Sequence, residues 1–179
     1  MKRILIVAAG LALVGAWTTV AAGDSPTAAD SDPRFEFLKS LAGSWVSPAP
    51  APDMPDGSWE FRVTAGGSAV EEREMAGTPM EMVTLYHMDG KKLVATHYCM
   101  LGNQPRLEAA RRVDDGPLSF ACSGVPGNAR SHDEHHVHGW TMWLDEEGRL
   151  HNEAELVESG RVTRSPSVVL TRVMQRARN

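Results

Sequence analysis

Paired turn residues punctuate this chain from Gly66 onward, and their spacing constrains its fold more than any other feature. Gly66-Gly67 separates SWEFRVTA from SAVEEREM, and Asp89-Gly90 separates MEMVTLYHM from KKLVATHYCM. Gly102-Asn103-Gln104-Pro105, Asp115-Gly116-Pro117, Asp145 to Gly148, and Ser159-Gly160 continue the series. This is the rhythm of short antiparallel strands. Asp89-Gly90 is the strongest hairpin signal, because both central positions of such a turn need positive φ. About ten strands are expected from these marks. Nearly every connection is hairpin-short, which favours an up-and-down meander, and closing the meander removes its exposed edges. The expectation is therefore all-β: an antiparallel up-and-down β-barrel of about ten strands, with a two-sheet sandwich as the other solution.

One short N-terminal helix precedes the strands. Asp32-Pro33 supplies an N-cap acceptor followed by proline at the first helical position. Phe35, Leu38 and Leu41 give the helix an apolar edge, and Gly43 stops it. Between the first two strands, SPAPAPDMP (47–55) holds four prolines and cannot be a central strand. It reads as a stiff loop, either a plain connection or one lying across a barrel end.

Upstream, Lys2 and Arg3 are followed by an apolar stretch from Ile4 to Val14 and a small-residue exit at Val20-Ala21-Ala22. That is the order of a secretory signal peptide, and the apolar stretch is short for a bilayer span. The expected organisation is a signal peptide over 1–22, a disordered linker over 23–32 and a single barrel domain over 33–176. Export to the periplasm or the extracellular space follows as an expectation. Cleavage near Ala22 moves the net charge from −5 two units further negative. An acidic chain without a basic stripe is a poor partner for nucleic acid or, once the signal is cleaved, for an anionic membrane.

FEFLKSLAGSW resembles the helix-then-Gly-x-Trp opening of the calycin superfamily, the lipocalins, fatty-acid-binding proteins and relatives. The resemblance implies that Gly43 opens the first strand, that Trp45 closes one barrel end, and that Arg172 of VVLTRVM packs over the indole. The chain also resembles a bacterial group of exported, lipocalin-like proteins of unknown function. HYCMLGNQPRL (97–107) is the nearest match, together with the later H-x-H strand. Calycin barrels carry many ligands and a few enzymes, so the resemblance bears on fold more than on function.

Four of the seven histidines lie in HDEHHVHGW (132–140). Regular alternation puts His136, His138, Trp140, Met142 and Leu144 on one face, assigned to the interior because it is the bulkier. His132 and His135 then fall in the preceding loop with Asp133 and Glu134. An inward H-x-H pair offers zinc two ligands, and a third would come from His97, His87, Glu153, His151 or the thiol of Cys99. The same rings also serve as polar contacts in an apolar pocket. Calycin relatives that hold haem through one histidine make haem a further option, although no local motif marks an axial ligand.

Met75, Met80, Met82, Met88, Met100 and Met142, with Trp59, Trp140 and Trp143, are divided between cavity lining and core. Arg106, Arg111 and Arg112 flank Glu108; the resemblance to fatty-acid-binding proteins implies that one could hold a carboxylate headgroup, while an outer solvated face suits the rest. Cys99 and Cys122 lie on strands separated by another strand, too far apart for a bridge unless 106–113 is misread, and are taken as free thiols. The chain carries no G-x-S-x-G turn, phosphate-cradling loop or zinc-protease helix, which leaves catalysis without a readable site.

The functional expectation is a barrel binding a small apolar or amphipathic molecule, with His97, His136 and His138 as polar contacts and Trp140, Met142 and Cys99 as lining. No cofactor is expected on this reading. A metal or haem barrel using His136, His138 and His97 is the first alternative, and a structural or partner-binding barrel with a filled interior is the second.

Overall fold

The computed structural model describes residues 32–49, 52, 54–110 and 116–174. The expected leader, the linker as far as residue 31, and Arg111 and Arg112 lie outside these residues, as does part of the proline-rich loop. One helix and eleven strands follow in order: α1 (Pro33–Ser40), β1 (Gly43–Ser47), β2 (Gly57–Thr64), β3 (Ala69–Glu74), β4 (Met82–Asp89), β5 (Lys92–Tyr98), β6 (Arg106–Ala109), β7 (Leu118–Cys122), β8 (His136–Leu144), β9 (Leu150–Glu158), β10 (Arg161–Arg164) and β11 (Val168–Arg172).

Each strand from β1 to β9 pairs antiparallel with the next. β9 then pairs with β11, and β11 returns to β1, so the sheet closes. β10 pairs with one end of β9 (Arg161↔Glu158 to Arg164↔Glu155) and β11 with the other (Val168↔Asn152 to Leu170↔Leu150). The two segments act as one interrupted strand, giving ten positions round the barrel. Pro166, between them, has no N–H to give the ladder. Ser165 bridges the break: its N–H donates to the Ala154 carbonyl at 2.8 Å, and its Oγ accepts from the Ala154 N–H at 3.1 Å.

The pairing register sorts the connections into two ends. The turns at 65–68, 90–91 and 145–149 lie at one end, and the loops at 75–81, 99–105 and 123–135 at the other. α1 covers the first end. The Asp32 carboxylate accepts from the Arg34 N–H, which starts the helix one residue before Pro33. The Arg34 guanidinium reaches the Lys91 carbonyl at 3.1 Å, and Phe35 and Leu38 are buried. Among the buried residues, Leu38, Leu41, Phe61, Leu93, Leu107, Met142, Leu150 and Leu170 build the packed part of the interior.

Trp45 and Arg172 face each other across the β1–β11 register. The guanidinium stacks over the indole at 4.2 Å and donates to the Ala42 and Ser40 carbonyls at 2.6 and 2.9 Å. The Trp45 Nε1–H donates to the Leu41 carbonyl at 2.8 Å. Both side chains therefore satisfy carbonyls that the end of α1 leaves without helical partners. Gly43 has a φ of +130°, and a Cβ there would stand 3.1 Å from Arg172 Nη1, so the position calls for glycine on two counts.

Candidate ligand cavity

The half of the barrel away from α1 forms a partly open cavity of about 310 Å³, its mouth at the 75–81, 99–105 and 123–135 loops. Its wall is a consequence of strand alternation. β3 sends in Glu72 and Glu74, β4 sends in Met82, Thr84 and Tyr86, β5 His97, and β9 Asn152, Ala154 and Leu156. Trp59, Cys99, Met100, Leu101 and His135 complete much of the rim. Two of the mouth loops support each other, since the Asn103 side-chain amide donates to the His135 carbonyl at 2.8 Å and Gln104 bridges to Gly127.

His97, Trp140 and Cys99 line the cavity. Met142 does not; it is fully buried in the packed core. The interior placement of His136 and His138 also needs correction. The β8–β9 register slips between Val137 and Gly139, and this bulge resets the alternation. β8 presents Val137 and Trp140 to the cavity, while His136 and His138, which flank Val137, take no part in its lining. Both rings gather with His132 instead, at centroid separations of 5.0, 5.2 and 5.8 Å. His97 is not brought to them, so the expected set of His97, His136 and His138 does not assemble into a ligand cluster among the described residues.

The remaining candidates sit elsewhere. His151 stacks on Trp143 at 4.8 Å and contacts the Asp145 carboxylate at 2.9 Å. His87 contacts the Met88 carbonyl, and neither His87 nor Glu153 lines the cavity. Arg106 is exposed and pairs with Asp89 at 2.9 Å, so it holds no interior headgroup. Both cysteines are free thiols, and burial pushes each above its ordinary value.

Polarity in the cavity comes mostly from residues that the sequence reading passed over. Glu72 is 2 % exposed, and the Tyr86 hydroxyl donates to it. Burial raises the Glu72 carboxyl to about 7, against the opposing effect of that hydrogen bond. Glu74 is also held well above the usual carboxylate range, by burial and by Glu72. His97, 3 % exposed, contacts the Thr84 hydroxyl through Nδ1 at 2.8 Å, and burial lowers it to about 4. Its ring is neutral at physiological pH. His97 Nε2 and the Trp140 Nε1–H are buried without a protein partner among the described residues. The cavity is thus an apolar and aromatic chamber holding acids and partner-seeking nitrogens, and among the described residues no lysine or arginine lines it. Compared with known proteins, the chain matches no family model and no curated protein.

Proposed function

We propose that this chain is an exported, calycin-like barrel that holds a small, largely apolar molecule carrying a hydroxyl or amine group. The observation that carries this reading is the cavity wall. Trp59, Tyr86, Trp140, Leu156 and the methionines supply apolar area, while Glu72, Glu74, His97 Nε2 and Trp140 Nε1 converge as polar contacts. Sites of this kind are mostly apolar with a few placed polar groups that fix orientation. A buried polar atom left unmatched costs about 1–3 kcal/mol, so a ligand that matches it gains correspondingly. A carboxylate headgroup is disfavoured, since it would face two acids and no cation. Trp45, Arg172 and Gly43 support the calycin reading, and the basic–apolar–small order of residues 1–22 supports export. The volume disfavours a completely filled interior.

Trp59 and Trp140 report occupancy by fluorescence, because both line the wall. Titration at pH 7 with decylamine, decanol and decanoate is expected to give saturable quenching by the first two. Decanoate should bind at least about tenfold more weakly, a difference of about 1.4 kcal/mol. Equal or tighter binding of decanoate would remove the headgroup assignment. Native mass spectrometry of protein from its source cell is expected to show a retained organic mass.

Ala154, half-buried on β9, is the place to block the chamber. Ala154→Phe should abolish quenching by decylamine and change stability by no more than about 1–3 kcal/mol of overpacking. Unchanged titration in that variant would mean that the probes bind outside the barrel.

A further inference from the structure

We infer that Cys122, His132 and His136 form a binding site for a thiophilic divalent cation, zinc in the first instance, at the β7–β8 rim. One donor atom from each of the three lies within 4.8 Å of the other two. Cys122 ends β7, His136 begins β8, and His132 comes from the loop that joins them. The site is separate from the cavity, because none of the three lines it.

The tautomer of His136 supports this assignment. Its residue is 0 % exposed, and Nδ1 lies 2.7 Å from the Glu134 carbonyl. A carbonyl only accepts, so Nδ1 carries the proton and Nε2 is left as a bare lone pair. That Nε2 is buried and has no protein partner among the described residues. A ring whose distal N–H is fixed by a carbonyl while its other nitrogen waits for an electrophile is the usual posture of a metal-ligating histidine. The Cys122 thiol contacts the Gly124 carbonyl at 3.3 Å, and backbone hydrogen bonds at Gly124 and Ser123 favour its thiolate. No protein donor serves the His136 lone pair, whereas a cation would serve it together with the sulfur and the His132 ring.

The donor set selects the metal. One sulfur and two imidazole nitrogens suit zinc, and are poor ligands for magnesium or calcium, which take oxygen. Zinc–nitrogen bonds of about 2.0–2.1 Å and zinc–sulfur bonds of about 2.3 Å put tetrahedral ligand atoms about 3.5 Å apart. The three donors, within 4.8 Å of one another, therefore need to close in by about 1.3 Å at most, and His132 lies on the loop between β7 and β8 rather than in the ladder. Binding displaces the Cys122 thiol proton to solvent and forms a Zn–S bond, with no change of oxidation state. The fourth position falls to water or to His138, whose ring centroid is 5.2 Å from that of His132.

The test is a cobalt(II) titration of the full chain carrying no histidine tag. One equivalent is expected to produce tetrahedral d–d bands and a near-ultraviolet thiolate-to-cobalt charge-transfer band, both displaced by one equivalent of zinc. Cys122→Ser should lose the charge-transfer band, whereas Cys99→Ser should keep it. His132→Ala should weaken zinc by at least the ten- to hundredfold that loss of an outer partner costs. All three substituted side chains are only partly buried, and circular dichroism checks that the barrel survives. A cobalt spectrum without the thiolate band, or zinc affinity equal in the wild type, Cys122→Ser and His132→Ala, overturns the site. Neither outcome touches the alkylamine titration, so the cavity reading stands or falls separately.

Discussion

Trp45→Ala is expected to cost about 3–5 kcal/mol of unfolding free energy, the usual range for removing a buried large aromatic side chain. Trp45 is 1 % exposed at the centre of the helix-capped end. Its removal leaves a cavity, frees the Leu41 carbonyl, and takes away the surface on which Arg172 stacks. Arg172→Ala, at a partly exposed side chain, should cost less, about 2 kcal/mol, chiefly through the two carbonyls it caps. The two residues share one stack, so the double variant should lose less than the sum of the singles. Urea unfolding of the four proteins measures this directly. A Trp45→Ala loss below about 1 kcal/mol would show that the end of the barrel is held by other contacts.

This end of the molecule was also the easiest to read. The capping signals are local marks, the Gly43-Ser44-Trp45 and Arg172 pairing was implied by the calycin resemblance, and the structure brings them together. The hairpin marks also located the turns: Asp89 ends β4 opposite Lys92, so the β4–β5 turn is Gly90-Lys91, one residue later than read, and only Gly90 has positive φ. Where connections are this short, local turn chemistry determines which strands are neighbours.

The histidine segment was misread for a different reason. Its alternation from Trp140 to Met142 is regular, and extrapolating backward by twos points His138 and His136 inward. A single extra residue at the bulge reverses that extrapolation, because the side-chain period is two. The signal for Glu72 and Glu74, by contrast, was present and unused. In SAVEEREM both share a face with Val70, but a run of charges suggests solvent, and only the closed sheet turns that face inward. The approach of His132 to Cys122 depends on a loop path that no local pattern encodes.

Folding stability should respond to pH in opposite directions in two single variants. Glu72 titrates at about 7 in the folded protein against 4.5 unfolded. Below 4.5 both states hold the proton. Between 4.5 and 7 the unfolded chain has released it and the folded chain has not, so the contribution of Glu72 falls as pH rises and is lost by about 7. His97 titrates at about 4 folded against 6.5 unfolded. Its contribution is complete above 6.5 and is lost as pH falls toward 4, because the unfolded ring then takes up a proton that the buried one refuses. Each displacement, at 1.36 kcal/mol per pKa unit, corresponds to about 3 kcal/mol. In the wild type the two slopes oppose each other between pH 4.5 and 6.5.

Removing either group exposes the other. Glu72→Gln keeps an acceptor for the Tyr86 hydroxyl but cannot ionise. Relative to the wild type, it should gain about 3 kcal/mol as pH rises from 4.5 to 7. His97→Gln should lose a similar amount, relative to the wild type, as pH rises from 4 to 6.5. Glu74 is common to the wild type and His97→Gln, whereas Glu72→Gln removes the neighbouring charge that helps raise it and so adds to the gain in the same direction. Denaturant midpoints at half-unit pH intervals between 4 and 8 give the three curves. Parallel curves would mean that neither group is shielded from water as the closed barrel requires, and that the chamber is wet enough to leave its acids and its imidazole near their solution behaviour. Diverging curves would place a neutral imidazole and a protonated acid in one chamber near pH 6, on strands flanking Thr84. That pairing presents donors and acceptors to an uncharged or basic headgroup without first stripping water from a fixed ion.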